Sequence, residues 1–250
     1  MAETFLLYGA PGSGKTTLAC SAPKPLLLLD IDNRNMKYGE GITHQPLTEK
    51  LVEESLSKRL ELRGLVTMQP KGYNSFCEQI SKLEEECPYK TVVIDSITRL
   101  TEHIKRLILF HARTVKLEKI RAMRSADWDT MVMNLEELIG TLFSLSTDYL
   151  IITAHEAVDN DAESATYRDV KPFIQGSMKD KIGGYFSEVY YLRPENKGGD
   201  KTNFSYNVLT HNDGKHISRT ARDLPINEAI TFDDILRAKQ TIIGGKKNEV

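Results

Sequence analysis

Apolar residues fall in two rhythms along this chain. In Thr4–Tyr8, Pro25–Asp30, Thr91–Ser96 and Asp148–His155 they are almost uninterrupted. Short runs of this kind suit parallel strands buried on both faces. Between them the apolar positions return at helical spacing. Lys15–Ser21 follows the first strand, Tyr73–Glu86 turns Phe76, Ile80 and Leu83 inward, and Pro88 marks its end. Residues Ile97–Arg124 read as mostly helical, and Thr130–Ser146 as amphipathic, with Met131, Leu135, Leu138, Ile139, Leu142 and Phe143 on one side. His44–Arg63, with spaced leucines among mixed charges, is expected to be a helix, and Leu65–Met68 a short strand. Ala157–Lys181 is polar and expected to be a loop.

Later the pattern changes. Phe186–Leu192 and Phe204–Thr210 read as strands without long helices between them, and Asn212-Asp213-Gly214-Lys215 as a hairpin turn leading to a return strand at Ile217–Thr220. Thr231–Gln240 is a short helix with Thr231 as N-cap and Asp234 three residues on. The fold expected is α/β, a mostly parallel central sheet flanked by helices, with antiparallel strands late in the chain.

The chain of 250 residues is expected to form one domain over residues 1–240, with a helical insertion at 44–64 and a disordered tail at 241–250. Gly198 and Gly199 read as an exposed turn rather than a linker. No apolar run approaches the roughly 20 residues that span a bilayer, and MAETFLLYG leaves no room for a signal peptide. Cys20, Cys77 and Cys87 lack metal-ligand spacing and are expected to be reduced thiols of a cytoplasmic protein. The net charge of −2 makes any nucleic-acid binding a matter of a local patch.

Chemistry concentrates first at Gly9, Ala10, Pro11, Gly12, Ser13, Gly14, Lys15, Thr16 and Thr17. The stretch GAPGSGKTT fits the phosphate-loop pattern G-x-x-x-x-G-K-[ST] between a predicted strand and a predicted helix. Backbone N–H groups in a tight concave turn can surround a triphosphate where no side chain intrudes. Lys15 is placed to reach the β- and γ-phosphates, and Thr16 to put its hydroxyl on Mg²⁺. The run TVVIDS ends in Asp95, as a Walker B strand does, and its carboxylate would hold the water shell of that ion. The strand PLLLLD, expected beside the first, ends in Asp30-Ile31-Asp32, where open α/β sheets place ligands. Beside the Walker B strand, His155 ends a strand where a polar side chain can touch the γ-phosphate.

A basic stretch follows Asp95. Between Ile97 and Arg124 lie Arg99, Lys105, Arg106, His111, Arg113, Lys116, Lys119, Arg121 and Arg124, against only Glu102 and Glu118. Phosphate contacts from such a stretch give sequence-independent, salt-sensitive binding. Trp128, the lone tryptophan, can stack on a base or anchor packing.

The order of these features resembles the core of the RecA-like ATPases. More narrowly, VIDS, the helix containing DW, ITAH and the late RTARDLP resemble the phage and prophage AAA-type nucleotide-binding proteins that include single-strand-annealing recombinases. The resemblance spans roughly residues 3–225. It implies a RecA-like P-loop fold binding ATP and Mg²⁺, with an acid past the second strand that activates water. Asp32 holds that place where the class usually has Glu. It also implies DNA-binding loops before Trp128 and after His155, the latter carrying Arg168 and Lys171. Further implications are a homo-oligomeric ring or filament with ATP at subunit interfaces, and a late basic residue, Arg219 or Arg222 (with Lys215 nearby), reaching a neighbour's γ-phosphate. Single-stranded DNA is the implied partner, with a single-strand-binding protein as another. The output is phage DNA recombination, annealing or replication. Two other readings stay open, a nucleotide or small-molecule kinase and a nucleotide-gated protein-binding module without useful turnover.

Overall fold

Strand β1 (Glu3–Gly9) runs through the middle of the sheet in a computed structural model that describes residues 2–33, 36–47, 51–52, 69–114, 122–160, 168–196 and 204–240. The other main strands are β2 (Leu26–Asp30), β3 (Ile42–Pro46), β6 (Thr91–Asp95), β7 (Tyr149–Asn160), β9 (Glu188–Asn196), β10 (Phe204–Leu209) and β11 (Asn227–Glu228). Their order is β11-β10-β9-β1-β7-β6-β2-β3. From β9 to β3 all neighbours are parallel, and β10 and β11 are antiparallel. This is the α/β, RecA-like P-loop architecture expected from the sequence. β4 (Leu51–Val52) and β5 (Gln69–Pro70) form a separate two-stranded pair.

The alternation of β1 divides the core. Leu6 and Tyr8 face helices α2 (Gly72–Glu85), α3 (Ile97–Thr114), α4 (Ser125–Ser144) and α5 (Met178–Tyr185). Phe5 and Leu7 face α1 (Lys15–Cys20) and α6 (Phe232–Arg237). Each fully buried Leu, Ile or Phe stabilises the fold by about 1.5–3 kcal/mol, and the central strands are buried at nearly every position. That explains why their sequences are continuously apolar. Among the described residues no helix is long and apolar enough to cross a membrane.

Several expectations are corrected. β2 pairs with β6 and β3, so it is separated from β1 by β7 and β6. The expected helix at His44–Arg63 gives way at its start to β3, whose His44 sits opposite Leu28, and to β4 at Leu51–Val52. Sheet pairing overrides the leucine spacing there. Residues 53–68, with the expected strand at Leu65–Met68, lie outside the described residues, as do Gly198, Gly199 and the 241–250 tail.

α4 starts at Ser125, five residues before the expected Thr130, because the Asp127 carboxylate accepts from the Arg124 N–H (2.7 Å) and starts the helix early. The polar segment after His155 is not a loop throughout. β7 continues to Asn160 and pairs antiparallel with β8 (Arg168–Pro172), and α5 follows. Ala157 and Val158 on one strand and Val170 on the other suffice for a ribbon that needs little burial.

The Asn212–Lys215 turn forms, but Ile217–Thr220 does not return along β10. It makes single bridges instead, Arg219 to Val189 and His216 to Val170, and β11 takes the place beside β10. In the turn, Gly214 N–H donates to Asn212 Oδ1 (2.7 Å), and Lys215 and His216 N–H donate to Asp213 Oδ1 (2.9 and 2.8 Å). Burial pushes the Asp213 carboxyl up, but those two N–H groups together with the His216 imidazole outweigh it and hold it at about 2.

Candidate functional site

The phosphate loop leaves the carboxyl end of β1 and enters α1. Two of its glycines are obligatory. At Gly9 (φ 153°) a Cβ would lie 2.1 Å from the Leu192 carbonyl oxygen. At Gly14 (φ 92°) the backbone is left-handed and a Cβ would press the Tyr206 ring at 3.3 Å. Lys15 is buried and donates to the carbonyls of Gly9 (2.9 Å) and Ala10 (2.7 Å) and to Ser13 Oγ (3.3 Å), so its ammonium lies in the loop's hollow.

The sheet order then brings distant residues together. β7 lies between β1 and β6, and from it Thr153 Oγ1 donates to Asp95 Oδ1 at 2.5 Å. From α1, Thr16 Oγ1 donates to Asp95 Oδ2 at 2.7 Å. Asp95 is 1% exposed. A carboxylate buried that deeply needs partners for both oxygens, and Thr16 and Thr153 supply them. Thr153 is not among the expected site residues, although a polar side chain at the end of an apolar strand beside the Walker B strand is the signal that marks it.

Asp32 lies just past β2. The N–H groups of Ile31 and Asp32 donate to the Asp95 carbonyl (2.7 and 3.1 Å), which ties this turn to the end of β6. Ser96 Oγ donates to Asp32 Oδ1 (2.8 Å), and His155 Nε2 lies 3.2 Å from Asp32 Oδ2. Thus the two expected residues, far apart in sequence, meet. Ser96 was not foreseen, because its role depends on β2 and β6 being neighbours. Asp30, the other acid of the pair, is fully buried and faces His44 Nε2 at 3.0 Å, a partner β3 provides.

A cleft of about 450 Å³ opens over Gly12–Leu18 and continues past Ser21, Met36, Leu192, Tyr206, Val208, Ile230 and Thr231. A second hollow of about 310 Å³ holds Asp32 and His155 with Thr98, Arg99, Glu102 and Phe173. The Thr16–Asp95 pair, followed by Ser96 and Asp32, links the two. His155 is also joined to the ribbon through its main chain. Its N–H donates to Thr98 Oγ1 (2.9 Å), that hydroxyl donates to the Phe173 carbonyl (2.8 Å), and Phe173 N–H donates to the His155 carbonyl (2.6 Å). Cys20, at the end of α1, has its thiol pushed up to about 11 by burial first and then by the Asp95 charge, so it stays protonated near neutral pH.

Of the expected trans-acting residues, Arg222 is corrected. It is 6% exposed, pairs with Glu3, lies 3.8 Å from Glu188 Oε1, and donates to the Ile235 carbonyl at 2.9 Å. Glu3 begins β1 and Gly9 ends it, so this cluster lies about 20 Å from the loop at ~3.3 Å per residue. A guanidinium committed in this way cannot reach a neighbour's phosphate. Arg222→Ala is expected to lower stability by about 3–5 kcal/mol by leaving the Glu188 carboxylate buried and unpaired, measured by chemical denaturation. Loss of turnover in mixtures with the unaltered protein should then be merely proportional. Arg219 is exposed, and its guanidinium donates to the Phe186 carbonyl.

The described residues include only some of the expected DNA-binding side chains. Lys116, Lys119 and Arg121 lie outside those residues, and only the backbone of Arg113 and Arg168 is described. Arg124 is exposed at the start of α4. Two of the described ones have partners within the fold. Trp128 packs on the core beside Gly176 with Lys105 Nζ 5.6 Å from its ring centre, so it is an anchor rather than an open stacking face. Lys171 pairs with Asp180 (3.0 Å) and Asp169 (3.5 Å), acids that neutralise it within the ribbon region.

A glycine-formed loop with a buried lysine, a threonine on a Walker B aspartate, and β7 set between their two strands define a P-loop nucleoside-triphosphate-binding protein. The chain belongs to the AAA domain family, whose model matches residues 1–219. No curated protein matches it. Among solved structures it is similar to one described as a prototypical ATPase from the type III secretion system of pathogenic bacteria, at 14% identity and a TM-score of 0.39. That likeness covers 77% of this chain and 52% of the other, so the chain spans about half the length of that protein.

Proposed function

We propose that this protein is a Mg²⁺-dependent ATPase whose turnover is coupled to single-stranded DNA. The observation that carries the ATPase reading is the arrangement around Asp95. Its partner Thr16 lies on the loop, and the adjacent Ser96 holds Asp32, so the metal-side and water-side groups are fixed to one strand end. The donors suit Mg²⁺, a hard cation that takes oxygen ligands, since a hydroxyl and a carboxylate lie 2.7 Å apart beside the loop. When bound, the ion offsets the charge of the β- and γ-phosphates. Lys15 binds the same phosphates, Asp32 accepts a proton from or orients the attacking water, and His155 contacts the γ-phosphate.

The link from His155 through Thr98 and Phe173 supports coupling of nucleotide state to the ribbon of β7 and β8. The basic stretch through Arg113, Lys116 and Lys119 and the resemblance to phage annealing recombinases support single-stranded DNA as the partner, a ring or filament as the working form, and phage recombination or replication as the setting. The test is phosphate release with and without single-stranded DNA, beside a salt series of DNA binding. Replacing Arg113, Lys116 and Lys119 by alanine is expected to reduce the salt slope by about 2, at ~0.7 per phosphate contact for single strands. An unchanged slope removes that stretch from the interface.

A further inference from the structure

The cleft extends well beyond the phosphate loop into a part whose walls are of another character. Leu192 and Val208 are almost fully buried beneath it, Met36 and Ile230 flank it, and Tyr206 stands about half exposed at 52%. Tyr206 is seated directly on the loop, since its ring and Cβ lie 3.3–3.5 Å from where a Gly14 side chain would begin. A nucleotide whose phosphates occupy the loop therefore carries its base into an apolar space with an aromatic ring at its edge.

Beside the Tyr206 phenol, the hydroxyls of Ser21 and Thr231 line this space, and the hydrogens of these two are already engaged. Ser21 Oγ donates to the Leu18 carbonyl at 2.7 Å. Thr231 Oγ1 donates to Asp234 Oδ2 at 2.6 Å and accepts from Asp234 N–H at 3.2 Å, as the cap of α6. The two hydroxyls are thus employed in holding helix ends. Neither of these two hydroxyls has a hydrogen left to donate to a base edge, and the burial of apolar surface and stacking that dominate this wall act on the face of a base.

We infer that Met36, Leu192, Tyr206, Val208 and Ile230 form a nucleobase subsite that selects by stacking area, so that purine nucleoside triphosphates bind better than pyrimidine ones and ATP and GTP bind alike. The inference rests on the reading of the loop as a triphosphate site. Its physical basis is an asymmetry of recognition. A site that hydrogen-bonds a base edge can reject the wrong base by about 10⁴-fold, whereas an apolar wall separates similar ligands by about 10–200-fold at most. Stacking on an aromatic ring tolerates any base and favours the larger ring system.

Calorimetric titration of the full chain with Mg²⁺ and ATP, GTP, CTP, UTP or inorganic tripolyphosphate tests this. ATP and GTP are expected within about fivefold of each other and the pyrimidines about tenfold weaker, within the range for apolar discrimination. Tyr206→Ala should weaken both purines by about tenfold and leave tripolyphosphate unchanged, while Tyr206→Phe, which keeps the ring, should bind as the unaltered protein does. A preference for ATP over GTP of a hundredfold, with tripolyphosphate still bound, overturns the inference and leaves the phosphate site standing. Purine binding untouched in Tyr206→Ala, with the thermal melt unaltered, overturns the stacking role. Failure of every triphosphate, tripolyphosphate included, to bind the unaltered protein overturns the loop reading and this inference together.

Discussion

Lys15→Ala is expected to lower ATP affinity by at least about a hundredfold and to remove turnover, while the fold persists. The Lys15 ammonium is 2% exposed and sits between the Gly9 and Ala10 carbonyls. A cation held in so sheltered a place meets phosphate with little competition from water. Hydrogen bonds to charged groups contribute about 1.5–3 kcal/mol each, and in the proposed site Lys15 binds both the β- and γ-phosphates, so two such bonds are expected to be lost. That corresponds to at least two decades of affinity. The lysine also satisfies two loop carbonyls, so some loosening of the loop is expected. Leu6 in one core and Leu18 in the other hold β1 and α1 in place without it. The measurement is calorimetric binding beside a thermal melt. Near-normal ATP affinity in a folded Lys15→Ala protein removes the loop from the site. Lys15→Arg is a useful companion. It keeps the charge but not the compact shape, and acceptors of Gly9, Ala10 and Ser13 that converge on one ammonium do not match a planar guanidinium, so it too should bind poorly.

How much of this was legible in the sequence depends on how local each feature is. The phosphate loop is a continuous stretch whose glycines answer to backbone conformation and close approach, so it could be read directly. The strands β1, β2, β6 and the start of β7 were equally plain, because burial on both faces makes them continuously apolar. The order of the strands was not written in any one of them. Placing β2 beside β1 was a reasonable expectation, yet β7 and β6 intervene. With that order go Thr153 and Ser96, whose roles arise only from which strand ends lie side by side.

The same reason hides Arg222. Nothing near it distinguishes it from an exposed arginine, and its partners Glu3 and Glu188 come from β1 and β9. The base-side wall likewise draws on Met36, Leu192, Tyr206 and Ile230, four separate parts of the chain. Trp128 has two readings in the sequence, a base-stacking face and a packing anchor. Its proximity to Lys105 and Gly176 decides for packing, a contact between three helical or turn segments that spacing cannot foretell.

Asp32→Asn is expected to reduce ATP hydrolysis by about 10²–10⁴-fold, the usual contribution of a positioned general base, with ATP affinity changed little. The argument lies in where Asp32 is held. One carboxylate oxygen accepts from Ser96 and the other faces His155, while the main chain of the same turn is bound to Asp95. The group is therefore oriented from three sides and fixed relative to the metal-side pair of Thr16 and Asp95. Asparagine keeps the shape and can still accept from Ser96, so structure and nucleotide binding should survive, but it takes up no proton. Single-turnover phosphate release separates this chemical loss from any change in product release. Asp32→Glu adds a methylene inside a hollow of about 310 Å³ that has room for it, and it restores the acid more usual in the RecA-like class. It should retain turnover where Asp32→Asn does not. Equal turnover in the unaltered protein and Asp32→Asn would place water activation elsewhere. Absent turnover in the unaltered protein, with ATP still bound, would instead make Asp32 and His155 a sensing pair in a nucleotide-gated module, because the same geometry that orients a water also registers whether a γ-phosphate is present.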